Sequence, residues 1–291
     1  MRPPNRRARH GPALTGTARI EGRAPSTIRR MRRLPVDIET RLVRASQLLA
    51  ELDQMCLAYL LNNNRTTDVT TVPERCAYVV RSHVEPPPPI ISAVFGDVLN
   101  NYRSILDYIA RNLVITAGLT PIDGGPGSTM FPIRRSRPSV GMVDVSPGLS
   151  SEVREALDGL QPYATPNEGR GHPLAELSEL NNRDKHRLLN VAALSEGGNV
   201  VFAPRDVADL TITGEMRTYH VRVLPGEDQV VAVHPDDLFT EAQARGMWSA
   251  TVVLQEANGA WSGQLVGVGR RIGVYIVDEV IPRLAPYMSN E

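Results

Sequence analysis

From Val36 to about Asn62 the apolar residues Ile38, Leu42, Ala45, Leu48, Leu49, Leu52, Met55, Cys56, Tyr59 and Leu60 recur every three or four positions. That spacing lines them along one stripe of a long amphipathic helix, which the asparagines beginning at Asn62 end. A second stripe, Ile91, Val94, Phe95, Val98, Leu99, Tyr102, Ile105, Leu106, Ile109 and Leu113, predicts a helix over about 89–117. Pro89 suits its first turn, where a missing N–H forfeits no helical bond, and Gly118 suits its close. Between the two helices, "DVTTVPERCAYVVRSHV" (68–84) is rich in β-branched residues and broken at Pro73. It predicts a short hairpin with one exposed edge.

Residues 119–148 are rich in Gly and Pro and carry no sustained period. A connection of that length is either mobile or functional. "SSEVREALDGL" predicts a short helix from Ser150 or Ser151 to Leu160, with a serine cap and acids in its first turn. After the loop "QPYATPNEGRGHP", Pro173 is expected to start a helix that runs to about 195. Beyond Gly197 the pattern changes. "NVVFAPR", "DLTITG", "MRTYHVRVLP", "DQVVAVHP" and "WSATVVLQEANGAWSGQLVG" predict five or six strands, and residues 270–284 a final helix weakened by Pro282. Helices first and strands after them predict an α+β fold: a helical core of long antiparallel helices, then a mainly antiparallel sheet and a C-terminal helix. The implied division is 34–196, helical with a short hairpin, and 197–291, β with the last helix.

Charge alters this picture only at the start of the chain. Lys plus Arg and Asp plus Glu both number 32, so overall charge suggests no polyanionic partner. Residues 1–33, however, hold ten arginines against one acid, Glu21, and lack a periodic apolar face. Disorder is the expectation there, because so little apolar surface does not offset chain entropy. A nucleic-acid-binding arm, a targeting peptide, and upstream sequence before an alternative start at Met31 are the competing accounts. Cys56 and Cys76 lack the spacing of a zinc site or disulfide scaffold. No apolar run approaches the ~18 residues of a membrane span, and the start lacks the apolar core of a secretory signal, so a cytoplasmic protein without a membrane partner is expected.

Candidate chemistry centres on "LNNRDKHRLL" (180–189), where polar residues interrupt a leucine pattern. On a helical wheel Leu174, Leu177, Leu180, Leu188 and Val191 share a face with Asp184 at its middle and Lys185 and Arg187 at its borders. His186 falls on the opposite, polar face with Asn182, Arg183 and Asn190. An ionised carboxylate on an apolar stripe needs a partner, and the second helix can offer Asn101 or Arg103. Arg103 and Asp107 stand at i, i+4 and can pair with each other. Two readings follow. In one, Asp184 and Arg103 form a structural clasp between helices. In the other, Asn101, Arg103, Asp107, Asp184, Lys185 and Arg187 bind a ligand or phosphate, and His186 with Arg183 does acid–base work. The arginines of "FPIRRSR" and the histidines His220 and His234 are read as loop and strand residues. No cofactor or metal motif is present: "DGGPGST" (123–129) lacks the ending of a phosphate loop, and no GxGxxG, GxSxG or HExxH stands in a suitable context.

"GDVLNNYRSILDYIA", "MFPI", "LQPY" and "LNNRDKHRLL", in that order, resemble a family of uncharacterised actinobacterial proteins with N-x-R-S-x-L-D-[HY], FPI, QPY and DKHR motifs. The resemblance covers about residues 38–195, and this chain has Tyr108 where His is frequent. A more distant similarity is to HEPN nucleotide-binding and ribonuclease domains, which cleave RNA without metal using an Arg and a His with four to six residues between them. Here only two residues separate Arg183 from His186, a departure from that pattern. The expected functions are thus a binding or interaction module with a largely structural polar cluster, a HEPN-like endoribonuclease or nucleotide binder acting on RNA or a nucleotide, or a small-molecule-binding protein. A homodimer is compatible with each.

Overall fold

The computed structural model describes residues 34–62, 66–123, 129–138, 145, 148–165, 171–204, 217–223, 228–255 and 261–289. The expectations for residues 1–33 and for a strand at "DLTITG" lie outside these. By its contacts the chain divides at Arg32–Arg33, and every element below belongs to the second unit.

Helix α1, Val36–Asn62, buries Ile38, Ala45, Leu48, Leu52 and Cys56, the stripe its sequence predicts. Burial also pushes the Cys56 thiol up to about 11, which keeps it protonated and unreactive. Strands β1, Thr66–Val72, and β2, Ala77–His83, form the expected antiparallel hairpin, with Val69 opposite Val80. Its turn places Cys76 in the left-handed region at φ 48°. Helix α2, Pro89–Thr116, buries more of itself than α1 does, because it packs against α1, α4 and α5. Gly118, at φ +73°, ends it, and the Leu119 N–H closes on the Val114 carbonyl. A side chain at that φ would be strained, which is why glycine serves there.

Helix α3, Ser151–Asp158, is capped by Ser150, whose hydroxyl accepts from the Val153 N–H at 3.4 Å. Helix α4, Pro173–Asp184, is shorter than expected. The apolar residues after it, read above as more helix, lead into strand β3, Val191–Pro204. The reason is pairing. β3 runs antiparallel to β6, Ala242–Gln255, from Val191 opposite Leu254 to Pro204 opposite Ala242, a partnership no local pattern announces. The change from helix to sheet therefore falls at 185–190, and the division expected at Gly197 lies inside a strand.

Strands β4, Tyr219–Val223, and β7, Trp261–Gln264, flank this pair in the order β4-β3-β6-β7. Strand β5, Gln229–Ala232, joins the hairpin instead, in the order β1-β2-β5. The two sheets share one core: Val69, Tyr78, Val80 and Val231 of the first pack with Val200, Phe202, Val221 and Val223 of the second. The final helical run starts earlier than expected, at Leu265. It comprises α5, Leu265–Tyr275, a π-helical turn, Ile276–Val280, and α6, Ile281–Leu284. The wider turn lies just before Pro282, which has no N–H to donate. Helices and antiparallel sheets together make an α+β fold.

Candidate functional site

The polar residues of α2 do not act as one group. Asn101 is buried and faces α1: its Oδ1 accepts from Arg41 Nη1 at 3.1 Å, and its Nδ2 donates to the Asp97 carbonyl at 2.8 Å. Arg103 leans the other way. Its Nε and Nη2 donate to the two carboxylate oxygens of Asp107 at 3.1 and 2.8 Å, and Nη2 also reaches the Phe131 carbonyl at 2.9 Å. Asp107 Oδ1 in turn accepts from the Phe131 N–H at 2.9 Å. The predicted i, i+4 pair is thus a forked ion pair that grips both backbone groups of one loop residue. With side-chain exposures of 14% and 27%, it holds more firmly than a surface pair.

Phe131 belongs to the "FPI" segment and is itself buried at 1% exposure. The far end of that segment is pinned by Gln161 of "LQPY". Fully buried, Gln161 accepts from the Arg134 N–H through Oε1 at 2.9 Å and donates to the Leu157 carbonyl through Nε2 at 3.1 Å. Further along, Arg135 pairs with Glu179 of α4 at 2.5 Å, and Arg137 lies 5.3 Å over the Tyr163 ring. The described part of the long Gly/Pro connection is therefore anchored at four successive points. Three motifs spread along the sequence, on α2, the loop and the turn after α3, are one hydrogen-bonded frame.

Between α2, this loop and α4 lies a cavity of about 500 Å3, lined by Arg103, Met130, Phe131, Pro132, Ile133, Arg134, Val145, Ser178, Asn181, Asn182 and Lys185. No acid is among these residues. Arg103 is occupied as described, while Arg134 and Lys185 are exposed and their charged groups make no ion pair among the described residues. Asn181 is 4% exposed. A second cavity, of about 400 Å3 between α1 and the residues leading into α2, is mostly apolar, with no cation among its described lining residues.

The expected Asp184 clasp is not formed. Arg103 is committed to Asp107 and Phe131, and Asn101 to Arg41 and Asp97, so neither reaches Asp184. Instead the Asp184 carboxyl lies against the backbone of Gly96 on α2, so close that a Cβ there would stand 2.4 Å from Oδ2. Among the described residues it has no hydrogen-bond donor or cation as a partner. Burial raises its pKa above the usual carboxylate value, and the nearby Asp97 charge raises it further. The folded chain therefore holds this proton to higher pH than the unfolded chain does. At neutral pH the ionised group opposes folding, and that opposition fades as the pH falls through the raised pKa toward 3.8. Asp184→Asn is expected to unfold at a higher temperature than wild type at pH 7, with the gap closing in acid. A variant less stable than wild type at pH 7 would show that the carboxylate has a partner after all.

The other candidates separate along the same turn. Lys185 caps α4 and reaches the cavity rim. His186 and Arg187 follow in a turn, exposed, and line neither cavity; Arg183 is half-buried and lines neither. The helical wheel placed these residues on faces of a helix that has ended by then. One buried histidine escaped the sequence reading: His172 caps α4, its Nδ1 accepting from the Leu174 N–H at 3.2 Å, with its ring 4.8 Å from that of Tyr275. Burial lowers its pKa, so the neutral ring that can accept this bond is favoured. Pro173 in the next position is the signal that a cap stood there. Asn181 was also passed over, although it precedes Lys185 by four residues, one helical turn.

Among the described residues no cluster of three or more His, Cys, Asp or Glu could hold a metal ion, and no helix is long and apolar enough to cross a membrane. Compared with family models, curated proteins and solved structures, the chain matches none.

Proposed function

We propose that this chain is a binding protein for a small organic anion, in which Arg103 and Asp107 are structural and the cavity beside them is the ligand site. One observation carries this reading: two cations without ion-pair partners among the described residues, Arg134 and Lys185, stand on a cavity with no acid among its described lining residues. Like charges near one cavity repel one another unless an anion lies between them. A volume of about 500 Å3 is within the range of small-molecule sites, and apolar Met130, Phe131, Pro132 and Ile133 with polar Ser178, Asn181 and Asn182 give the mixture such sites use. Anchoring of the loop at Phe131 and Arg134 lets the site exist before the ligand arrives, which lowers the entropy lost on binding. The position of His186 away from the cavity favours binding over acid–base chemistry at this site.

The test is calorimetric titration of the full chain with pyrophosphate and with succinate at low ionic strength. At least one of these anions is expected to bind saturably and to weaken as salt is added. Lys185→Ala and Arg134→Ala should each weaken it by about tenfold or more while leaving thermal stability near wild type, since both side chains are exposed. Absence of saturable binding, or binding indifferent to both substitutions, overturns the proposal.

A further inference from the structure

Asn181 narrows the chemistry of the ligand. It lies on α4 one turn before Lys185, is 4% exposed, and lines the cavity. Among the described residues its side-chain amide makes no hydrogen bond, which sets it apart from buried Asn101 and Gln161, whose amides each use both their oxygen and their nitrogen. Its amide atoms are not sealed from solvent, so the donor and acceptor that the protein leaves unused are open to whatever fills the cavity. A carboxamide presents an acceptor and a donor side by side in one plane. The group that satisfies both at once presents a donor and an acceptor in the same way, as the amide or amidine edge of a heteroaromatic ring does.

We propose that the ligand is a mononucleotide, its base edge on Asn181 and its phosphate held by Lys185 and Arg134; this rests on the anion-binding reading above. The spacing agrees. Residues four apart on a helix have Cβ atoms about 5–6 Å apart, and the long lysine stem carries the charge further, which separates a ring subsite from a phosphate subsite. Met130, Pro132 and Ile133 supply apolar surface for the faces of a flat ring. Two cations match the charge of a phosphate monoester at neutral pH.

Titration of the full chain with adenosine, cytidine, guanosine and uridine 5′-monophosphates, with the same four nucleosides, and with ribose 5-phosphate tests this. At least one mononucleotide is expected to bind about tenfold tighter than ribose 5-phosphate, because the base adds contacts the sugar phosphate lacks. Asn181→Leu should erase that advantage and leave ribose 5-phosphate binding unchanged, while Lys185→Ala should weaken both ligands. Asn181→Asp, which keeps the shape and removes the donor, serves the same purpose if the leucine variant does not fold. Equal affinity for ribose 5-phosphate and the best mononucleotide in wild type overturns the base subsite and leaves the anion site standing. An advantage that survives both Asn181 substitutions also overturns it. Binding of none of these compounds, with pyrophosphate still bound, overturns the mononucleotide alone; loss of every anion overturns both readings.

Discussion

Arg103→Ala is expected to lower the unfolding free energy by about 2–4 kcal/mol, measured by urea denaturation. The substitution removes three hydrogen bonds at once: two to the Asp107 carboxylate and one to the Phe131 carbonyl. What remains is the larger part of the cost. Asp107, only 27% exposed, keeps a charge without its counter-ion, and the Phe131 carbonyl loses its donor. The range lies below that of a fully buried ion pair because both partners retain some contact with water. Combining Arg103→Met with Asp107→Leu is expected to recover part of the loss, since removing both charges removes the stranded one. The Phe131 N–H and carbonyl would still lack partners, so recovery should be incomplete. A single-variant loss under about 0.5 kcal/mol, the scale of an ordinary surface change, would show that the pair does not anchor the loop.

Gln161→Leu separates stability from site geometry. Gln161 is fully buried, and both ends of its amide are used, on Arg134 of the loop and Leu157 of α3. Leucine fills much of the same space and makes neither bond, so a loss of about 1–3 kcal/mol is expected, from the two bonds and the donor left behind. The effect on binding should be larger than this loss alone suggests. Arg134 would keep its guanidinium and lose the backbone anchor that holds it at the cavity, so affinity for pyrophosphate should fall about tenfold or more in a variant that is still folded under the assay conditions. Unchanged affinity in a folded Gln161→Leu protein would mean that the anchor does not position Arg134. Lys185→Ala, which removes a charge without touching the frame, provides the comparison: it should lose affinity and keep its stability.

The candidate site was only partly legible in the sequence. The i, i+4 spacing of Arg103 and Asp107 is a local property and could be read directly, but its hold on Phe131 joins positions 24 and 28 residues apart. Gln161 stood in a recognisable turn motif, yet nothing nearby in sequence says that its oxygen accepts from Arg134. Asp184 shows the opposite failure. Its place on an apolar stripe called for a partner, and the fold met the steric requirement with a glycine, Gly96, rather than with a cation. His186 drew attention because histidine titrates near neutrality, but helix α4 ends two residues before it. Asn181 was overlooked because an asparagine on a helix is unremarkable until its burial is known.

By itself the sequence determined the extents of α1 and α2, the hairpin, the cap of α3 and the α+β order of elements. These depend on periodicity, prolines and capping groups acting over a few residues, where local physical chemistry decides. Only the tertiary structure decided that the apolar run after Asp184 becomes β3, because its partner β6 lies some fifty residues further along the chain. Only the tertiary structure brought Arg103, Arg134, Asn181 and Lys185 to one cavity. A binding site is a matter of distance between side chains on separate elements, and that distance is set when their buried faces pack together.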